Sequence, residues 1–258
     1  MKNTQSVVER KKAAILAIGD ELLSGRTKDA NIHHLACWLT ERGVTLREAQ
    51  IVGDEQDAIV RSLNHLRATY DYVFTSGGIG PTHDDITVEA VAAAFNEPVI
   101  MHPKAEALVR GYYEKRGEEV TAARLRMART PRSAELIFNP ITGAPGIRVA
   151  NVYVLAGVPS IFRAILDAIE SDIEISEVIY AQAVTAHHLP ESAIAETLAQ
   201  LQSEHPDVAI GSYPIDGDEL GVTVVVRSDD RPAAQTTVAR VGEAMTAMGF
   251  SPIFEDRK

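Results

Sequence analysis

The chain alternates short apolar runs with longer segments whose apolar residues recur at helical spacing. The first run, AAILAI at 13–18, ends at Gly19, which predicts a buried strand that meets a loop. From Asn31 onward the apolar residues fall at helical spacing, and Gly43 stands where a helix often ends in a glycine. The opening therefore predicts a strand, a loop and a helix.

The same alternation continues to about residue 170. Two further strands are predicted at 44–52 and 152–155, and a third begins at Tyr72 and runs into a glycine-rich loop. Thr87 and Ser160 are predicted N-caps, because each precedes a segment with helical periodicity. Helices are predicted at the segment carrying Ile59, Val60, Leu63 and Leu66, at 88–95, at 103–116, at 119–128, and at the segment carrying Ile161, Ile165, Leu166 and Ile169.

Strands that alternate with amphipathic helices predict an α/β fold, in which helices cover both faces of a mostly parallel sheet. Ligands of such sheets bind beyond the carboxyl ends of the strands. Glycine occurs at three predicted strand ends, at Gly19, at 77–80 and at Gly157. These strand ends therefore outline one candidate site.

The pattern changes near residue 172. Strands at 178–184, 208–213 and 221–226, with helices at 191–202 and 233–248, predict a compact α+β module of βαββα order. The acidic turn at 216–219 argues against a nucleic-acid surface on this module. The predicted organisation is an N-terminal arm at 1–12, an α/β domain at 13–171 and a small α+β domain at 172–258.

Charge and cysteine content narrow the function classes. Lys and Arg total 25 against 36 Asp and Glu, a formal net charge of −11 that repels phosphate backbones, so we expect no nucleic-acid partner. An anionic ligand would need local neutralisation by backbone N–H groups, arginines or a divalent cation. The single cysteine, Cys37, excludes an intrachain disulfide, and the first twelve residues lack the apolar core of a signal peptide. With no apolar run near the ~18 residues of a membrane span, we expect a cytoplasmic protein without membrane association.

The segment TSGGIGPTHDDIT at 75–87 carries the strongest chemical signal. Its glycines leave backbone N–H groups open to an anion, and a helix follows with its positive end, as in phosphate-binding loops. It matches neither a P-loop nor a dinucleotide fingerprint, and a simple tight turn is the alternative. The candidate substrate- or phosphate-binding residues are Ser76, Gly77, Gly78, Gly80, Thr82, Asn31, Gly157, Pro159 and Ser160.

Two carboxylate pairs accompany these glycines. Asp84 and Asp85 end the glycine-rich segment, and Asp20 and Glu21 follow the first strand. Paired carboxylates hold hard metal ions or position a water, although one member of each pair could equally cap a helix. Asp85 and Asp84 are therefore the candidate catalytic residues, with the choice between them open. Asp85, Asp20 and Glu21 are the candidate ligands of a divalent ion, Mg²⁺, Mn²⁺ or Co²⁺.

Other polar residues have two interpretations each. Asn31 could donate its amide to a ligand or cap its helix. Arg124, Arg126, Arg129 and Arg132 could contact ligand phosphates, but a solvated helix face is favoured. His83 could take part in chemistry because it adjoins the acidic pair. Cys37 is predicted to be a buried thiol rather than a nucleophile.

Three segments resemble segments of one protein family and occur in the same order as in that family. AIGDELLSGRTKDANIHHLA, TSGGIGPTHDDITVEAVA and NPITGAPGIRVANVYVLAGVPS are similar to the N-terminal region of CinA, the competence/damage-inducible family, within the molybdopterin-binding-like, MoaB/MogA-type superfamily. GSYPIDGDELGVTVVV is similar to the KH-like module that follows in CinA. The resemblance implies a three-layer sandwich and a homodimer or higher homo-oligomer. It stops short of the nicotinamide-mononucleotide deamidase domain, so deamidase activity is not expected.

The resemblance implies two kinds of chemistry. Molybdenum-cofactor members bind a pterin phosphate at the glycine loop and use the aspartate matching Asp85 with a divalent cation in adenylyl transfer. CinA N-terminal regions, like the similar region of FAD synthases, are associated with metal-dependent hydrolysis of dinucleotide pyrophosphates such as ADP-ribose and FAD. This sequence departs from the family at two positions at the edge of the expected pocket. Ala156 stands where the family often has Pro, and Ile161 stands where many members have an acidic residue.

The leading hypothesis is a metal-dependent pyrophosphatase that acts on ADP-ribose or an FAD-like dinucleotide and needs no organic cofactor. One alternative is a protein that binds molybdopterin or another pterin phosphate without chemistry. A third is a nucleotide sensor or scaffold with a degenerate site. In each case the expected ligand is a small molecule that contains phosphate.

Overall fold

The computed structural model of the protein describes residues 10–175, 180–216 and 220–257. The chain divides into two compact units, Met1–Ser176 and Glu177–Lys258. The first unit extends a few residues past the predicted boundary because Ile173 is buried in its hydrophobic core. Parts of three predicted features lie outside the described residues: residues 1–9 of the arm at 1–12, residues 178–179 of the strand at 178–184, and residues 217–219 of the acidic turn at 216–219.

Strands alternate with one or two helices through most of the first unit, as the hydrophobic pattern predicts, but its last four strands follow one another with no helix between them. Its strands are β1 (Lys12–Ile18), β2 (Thr45–Val52), β3 (Tyr72–Ser76), β4 (Val99–Met101), β5 (Arg129–Pro131), β6 (Glu135–Ile137), β7 (Gly146–Val149) and β8 (Val152–Leu155). Its helices are α1 (Asp20–Leu23), α2 (Asn31–Thr40), α3 (Gln56–Thr69), α4 (Thr87–Ala94), α5 (Pro103–Lys115), α6 (Ala122–Leu125) and α7 (Pro159–Ala168).

One six-stranded sheet organises this unit, in the order β2-β1-β3-β8-β7-β6. The first four strands pair in parallel, and β7 and β6 continue the sheet antiparallel. A separate antiparallel pair joins β4 to β5. The prediction of a mostly parallel sheet is confirmed for the strands that carry the candidate site. The carboxyl ends of β1, β3 and β8 therefore lie side by side at one edge.

The continuous apolar run of β1 reflects burial on both faces of the sheet. Ile15 belongs to the hydrophobic cluster that contains residues of α2 and α7, whereas Leu16 belongs to the cluster that contains residues of α3 and α4. Successive side chains of a strand point to opposite faces, so an alternating polar pattern would leave one helical layer without apolar partners. The unit is a three-layer α/β sandwich.

Three local predictions are wrong. Thr87 is the first residue of α4 rather than its cap, and the hydroxyl donates to the Gly77 carbonyl oxygen across 2.9 Å. α7 begins at Pro159, which places Ser160 within its first turn, exposed and not capping. Cys37 is exposed on α2, with Sγ 3.9 Å from Nε2 of His33. In each case the residue type allows two local roles, and tertiary packing decides between them.

The second unit contains the predicted βαββα order and ends in one further strand. Its four-stranded sheet has the order β10-β11-β9-β12 and is antiparallel throughout. Apolar residues of its strands and helices, among them Val184, Val224, Leu198 and Val241, form a core of its own. Its elements are β9 (Tyr180–His187), α8 (Glu191–Glu204), β10 (Ala209–Ile215), β11 (Gly221–Ser228), α9 (Arg231–Ala247) and β12 (Ile253–Arg257).

Candidate functional site

Asn31 ties two strand ends of the first unit together. Its Nδ2 donates to Oγ of Ser76, at the end of β3, across 2.7 Å, and to the carbonyl oxygen of Gly157, after β8, across 2.8 Å. Asn31 is buried and is the first residue of α2 rather than its cap, and the carboxylate of Asp29, two residues earlier, accepts the N–H of Ile32. Neither Asn31 nor Ser76 lines the cavity described below. Both residues lie beneath the candidate site and fix the strand ends that build it.

Two glycines of the loop after β3 have no room for side chains. A Cβ at Gly77 would lie 2.2 Å from the carbonyl oxygen of Ile18, and a Cβ at Gly78 would lie 2.2 Å from Oγ1 of Thr87. Both glycines have positive φ values, 109° and 65°, that side chains disfavour. Thr87 closes the loop, since its N–H also donates to the Gly78 carbonyl oxygen across 3.0 Å. The loop is therefore held directly against the first turn of α4.

Asp85 folds back over the same loop. Its Oδ2 accepts the backbone N–H of Thr82 across 2.8 Å and the Thr82 hydroxyl across 2.5 Å. A Cβ at Gly80 would lie 2.6 Å from this oxygen, so glycine is required for the turn to close. The other oxygen, Oδ1, accepts no hydrogen bond from the described residues and remains available to a ligand or ion. Thr82 itself is exposed, and its role in the described structure is to orient Asp85.

Asp20 and Glu21 separate at the end of β1. The Asp20 N–H donates to the Asp54 carboxylate across 3.0 Å, and the Asp54 N–H returns a 3.3 Å bond to the Asp20 carboxylate. Asp20 thus links the ends of β1 and β2 and does not line the cavity, whereas Glu21 does. Burial raises the pKa of Asp54, and the carboxylates of Asp20, Glu21 and Asp84 raise it further against the opposing bond from the Asp20 N–H. The negative potential at this edge would favour a bound cation.

A cavity of about 520 Å³ opens at these strand ends. Its polar end is formed by the glycine loop with Glu21 and Asp85, the two charged side chains of its lining. The rest of the wall is largely apolar. The remaining lining residues are Thr27, Ile79, Pro81, Tyr113, Met127, Asn139, Thr142, Gly143, Ala144, Ala156, Gly157, Val158, Pro159, Ile161 and Ile165.

The predicted site residues fall into two groups. The structure brings Gly77, Gly78, Gly80, Gly157, Pro159, Glu21 and Asp85 together around the cavity. Asp84 and His83 instead lie at the exposed tip of the loop, with His83 Nδ1 3.8 Å from Asp84 Oδ1. Ser160 is exposed outside the lining. Of the two aspartates, Asp85 is therefore the one that faces the cavity.

The sequence pattern favours a solvated face for the arginine cluster, but two of its members lie behind the glycine loop. Arg126 donates to the Asp85 carbonyl oxygen across 3.3 Å, and Arg129 forms a 2.8 Å ion pair with Glu89 of α4. Together with Gly78 and Gly80 they border a small pocket on the far side of the loop. Their clustering was visible in the sequence, but only the packing of 122–131 against α4 shows which two face the loop. They add positive charge next to a candidate anion site.

A divalent ion fits this donor set only together with a ligand. Within the described part of the chain no three His, Cys, Asp or Glu residues are arranged to hold a metal ion. Mg²⁺ is commonly held by one or two carboxylates plus substrate phosphates, with water completing the shell. Glu21 and Asp85 could supply those carboxylates, with Asp20 turned away.

Family comparisons match both units. The family model described as probable molybdopterin binding domain matches residues 14–173, more than half of the chain. The model described as FAD synthase, middle domain, matches residues 180–252. Among the described residues, no helix is both long and apolar enough to cross a lipid bilayer.

Curated relatives cover nearly all of the chain. A protein of Thermoplasma acidophilum is 31% identical over 93% of this chain and 98% of its own length. A CinA-like protein of Desulfosudis oleivorans is 30% identical over 95% of this chain and 61% of its own length. A probable FAD synthase of Caenorhabditis elegans is 33% identical over 83% of this chain and 46% of its own length. The last two relatives are thus considerably longer than the region they share with this chain.

A solved structure agrees with the sequence comparisons. The crystal structure of the CinA protein from Thermoplasma acidophilum, described as of unknown function, superposes with a TM-score of 0.59 and 35% identity, over 63% of this chain and 98% of that one. The glycine loop, the sandwich fold and the match to the family model all indicate the same family. The chain belongs to the probable molybdopterin binding domain family, as a CinA-like member of it.

Proposed function

We propose that the first unit hydrolyses a pyrophosphate bond within a nucleotide such as ADP-ribose or FAD, with a divalent cation, Mg²⁺, Mn²⁺ or Co²⁺, as its cofactor. One observation carries the proposal: the glycine loop and the carboxylates of Glu21 and Asp85 line the same cavity. A phosphate group and a metal ion could therefore meet there.

The glycine loop supports phosphate binding. Gly78 and Gly80 expose the main chain to the cavity, and α4 begins with its positive end directly after the loop. Arg126 and Arg129 lie behind the loop, where Glu89 pairs with both and Asp85 borders the same small pocket. The two guanidinium groups would offset part of the charge of a bound phosphate in a chain of net charge −11.

The carboxylates support the metal-dependent step. Glu21 and Asp85 are the oxygen donors that a hard cation prefers, and a substrate pyrophosphate would supply further oxygens. When bound, such an ion neutralises charge on the phosphate oxygens and makes a bound water more acidic. The hydrogen bonds from Thr82 fix the Asp85 carboxylate, so little conformational entropy would be lost when it engages a ligand.

The remaining cavity wall supports a ligand that carries an uncharged group next to its phosphates. Ile79, Met127, Val158, Ile161 and Ile165 form an apolar surface next to the charged end. This combination of an apolar wall with a few polar groups is typical of cofactor and nucleotide pockets. The match of the second unit to the FAD synthase middle domain also favours a nucleotide.

The decisive experiment measures hydrolysis of ADP-ribose and FAD by the purified chain with Mg²⁺, Mn²⁺ and Co²⁺. We expect turnover that falls about a hundred-fold or more in Asp85→Ala, the order of loss that follows removal of a group stabilising the transition state. Asp84→Ala is the matched control, because Asp84 is the exposed neighbour outside the cavity and should keep near wild-type activity. Absence of hydrolysis of either nucleotide by the wild type with every metal would refute the proposal.

Binding of a pterin phosphate without chemistry is the second candidate. The description of the matching family favours it. Calorimetry distinguishes the two: tight binding of a pterin phosphate, with no metal-dependent turnover of any nucleotide, would replace the hydrolase by this function.

A further inference from the structure

A second cavity, also of about 520 Å³, lies next to the one that holds the glycine loop. Asn139, Thr142 and Gly143 line both cavities, so one chain segment forms the wall that separates them. The other side of the second cavity is the face of α5 that carries Tyr112 and Lys115. A ligand longer than one cavity could therefore occupy both, with its middle part lying over this wall.

The shared wall is rigid. Oδ1 of buried Asn139 accepts the N–H groups of Ile141 and Thr142, while Nδ2 donates to the Thr142 hydroxyl across 2.6 Å and to the Ala144 carbonyl oxygen across 2.7 Å. Gly143 packs against α5 so closely that a Cβ there would lie 2.4 Å from Cβ of Tyr112. Both cavities are therefore formed before a ligand arrives.

The two cavities have opposite charge. The charged lining residues of the first are the acids Glu21 and Asp85, whereas those of the second are the cations Lys115 and Arg116. Arg116 is already paired with Glu118 at 2.8 Å. No carboxylate among the described residues forms an ion pair with Lys115. Lys115 is thus an available cation in an acidic protein, suited to an anionic group such as phosphate.

An exposed aromatic ring also borders the second cavity. Phe138 is 66% exposed, although burying a phenyl ring is strongly favourable. A ring of this kind provides a surface on which a nucleobase can stack, because every base has a flat π-face. An unpaired ammonium and an exposed phenyl ring in one cavity match the two parts of a nucleotide, its phosphate and its base.

We infer that the second cavity binds the base-bearing half of a dinucleotide substrate, with the base against Phe138 and the base-side phosphate of the pyrophosphate at the shared wall, towards Lys115. This inference rests on the proposed function, since it requires the other phosphate of the pyrophosphate to lie at the glycine loop. It makes Phe138 and Lys115 specificity-determining residues for that reaction.

The test compares a probe with a base and a probe without one. Calorimetry with Mn²⁺ would measure binding of the α,β-methylene analogue of ADP-ribose, which cannot be hydrolysed at its bridge, and of ribose 5-phosphate, which lacks the base. We expect Phe138→Ala to weaken binding of the analogue about ten-fold and Lys115→Ala to weaken it several-fold. Binding of ribose 5-phosphate should not change in either variant. Ile141→Ala, in the same segment, and Lys104→Ala, on the same helix, are matched controls outside both cavities and should bind both probes normally.

The outcomes separate this inference from the function beneath it. If Phe138→Ala and Lys115→Ala bind the analogue as well as the controls do, or lose both probes equally, the second cavity is not a base site, while hydrolysis by the wild type can stand. If the wild type neither binds the analogue nor hydrolyses ADP-ribose, both ideas fail. Melting temperatures of all four variants establish that each is folded.

Discussion

Gly78 shows how one missing side chain shapes the candidate site. Its φ of 65° lies in the left-handed region, and the space that a Cβ would occupy is filled by the Thr87 hydroxyl. That hydroxyl also bonds to the Gly77 carbonyl oxygen. The residue is thus restricted twice, once by its backbone conformation and once by its neighbour.

Gly78→Ala should therefore destabilise the protein more than a positive φ alone explains. Gly117→Ala is the matched control, because Gly117 has a similar φ of 68° but no atom within 4 Å of the added Cβ. We expect the control to lose about 1 kcal/mol in free energy of unfolding, and Gly78→Ala to lose roughly 1–3 kcal/mol more through overlap with Thr87. Urea denaturation measures both, and equal losses would show that Thr87 simply moves away.

The roles of single polar residues were only partly predictable. Asn31 and Thr87 both stand at helix starts in the sequence, where local capping is the usual function of such residues. In the structure neither caps its helix, and each forms a hydrogen bond to a segment distant in sequence. Local propensity could not reveal this, because the partners of Asn31 are brought close by the parallel pairing of β3 with β8, and the partner of Thr87 by the folding of the glycine loop.

At the scale of elements, hydrophobic periodicity identified the long helices and the buried strands, because each covers enough residues to show a period. The short strands β4, β5, β6 and β7 were not predicted, since three or four residues do not establish an alternation. β12 was missed as well, with Ile253 and Phe254 both exposed. These strands depend on pairing with a neighbour rather than on their own pattern.

One contact between elements should make stability depend on pH. Glu97, after α4, accepts the Ser133 hydroxyl across 2.6 Å and the Ser133 N–H across 2.8 Å, and these bonds lower the pKa of its carboxyl below 4.5. A lowered pKa contributes stability that is present above the unfolded value and is lost as the pH falls through the folded value.

Ser133→Ala should therefore cost more stability at pH 7 than at pH 3. The expected difference is a few tenths of a kcal/mol to about 1 kcal/mol, because the carboxylate is near solvent. Ser203→Ala, at an exposed position of α8, is the control and should cost the same at both pH values. Chemical denaturation at the two pH values gives the comparison, and a pH-independent cost for Ser133→Ala would contradict the assignment.

The whole molecule consists of two units with separate hydrophobic cores, and the candidate cavity lies entirely in the first unit. A ligand that binds only the folded form of the first unit raises the stability of that unit by an amount that grows with the logarithm of the ratio of ligand concentration to dissociation constant. Self-association stays a prediction that solution measurements of mass would test.

Calorimetry of the full chain should accordingly show two unfolding transitions, of which only one responds to ligand. At about 100 times its dissociation constant, non-hydrolysable ADP-ribose with Mn²⁺ should stabilise the first unit by about 2.7 kcal/mol, a rise of roughly 5 °C or more in its melting temperature. Asp85→Ala should abolish the rise. A shift of both transitions, or of the transition that belongs to residues 177–258, would place the site elsewhere.

The sequence by itself determined the α/β class, the division into two units, the glycine loop and the presence of acids beside it. These features are encoded locally, in periodicity, in glycine and in residues that are neighbours along the chain. Tertiary structure alone decided that Asp85 rather than Asp84 faces the cavity, that Glu21 joins it while Asp20 binds Asp54, and that Arg126 and Arg129 lie behind the loop. Adjacent residues can point in opposite directions, and only the packing of distant segments fixes which of them share a cavity.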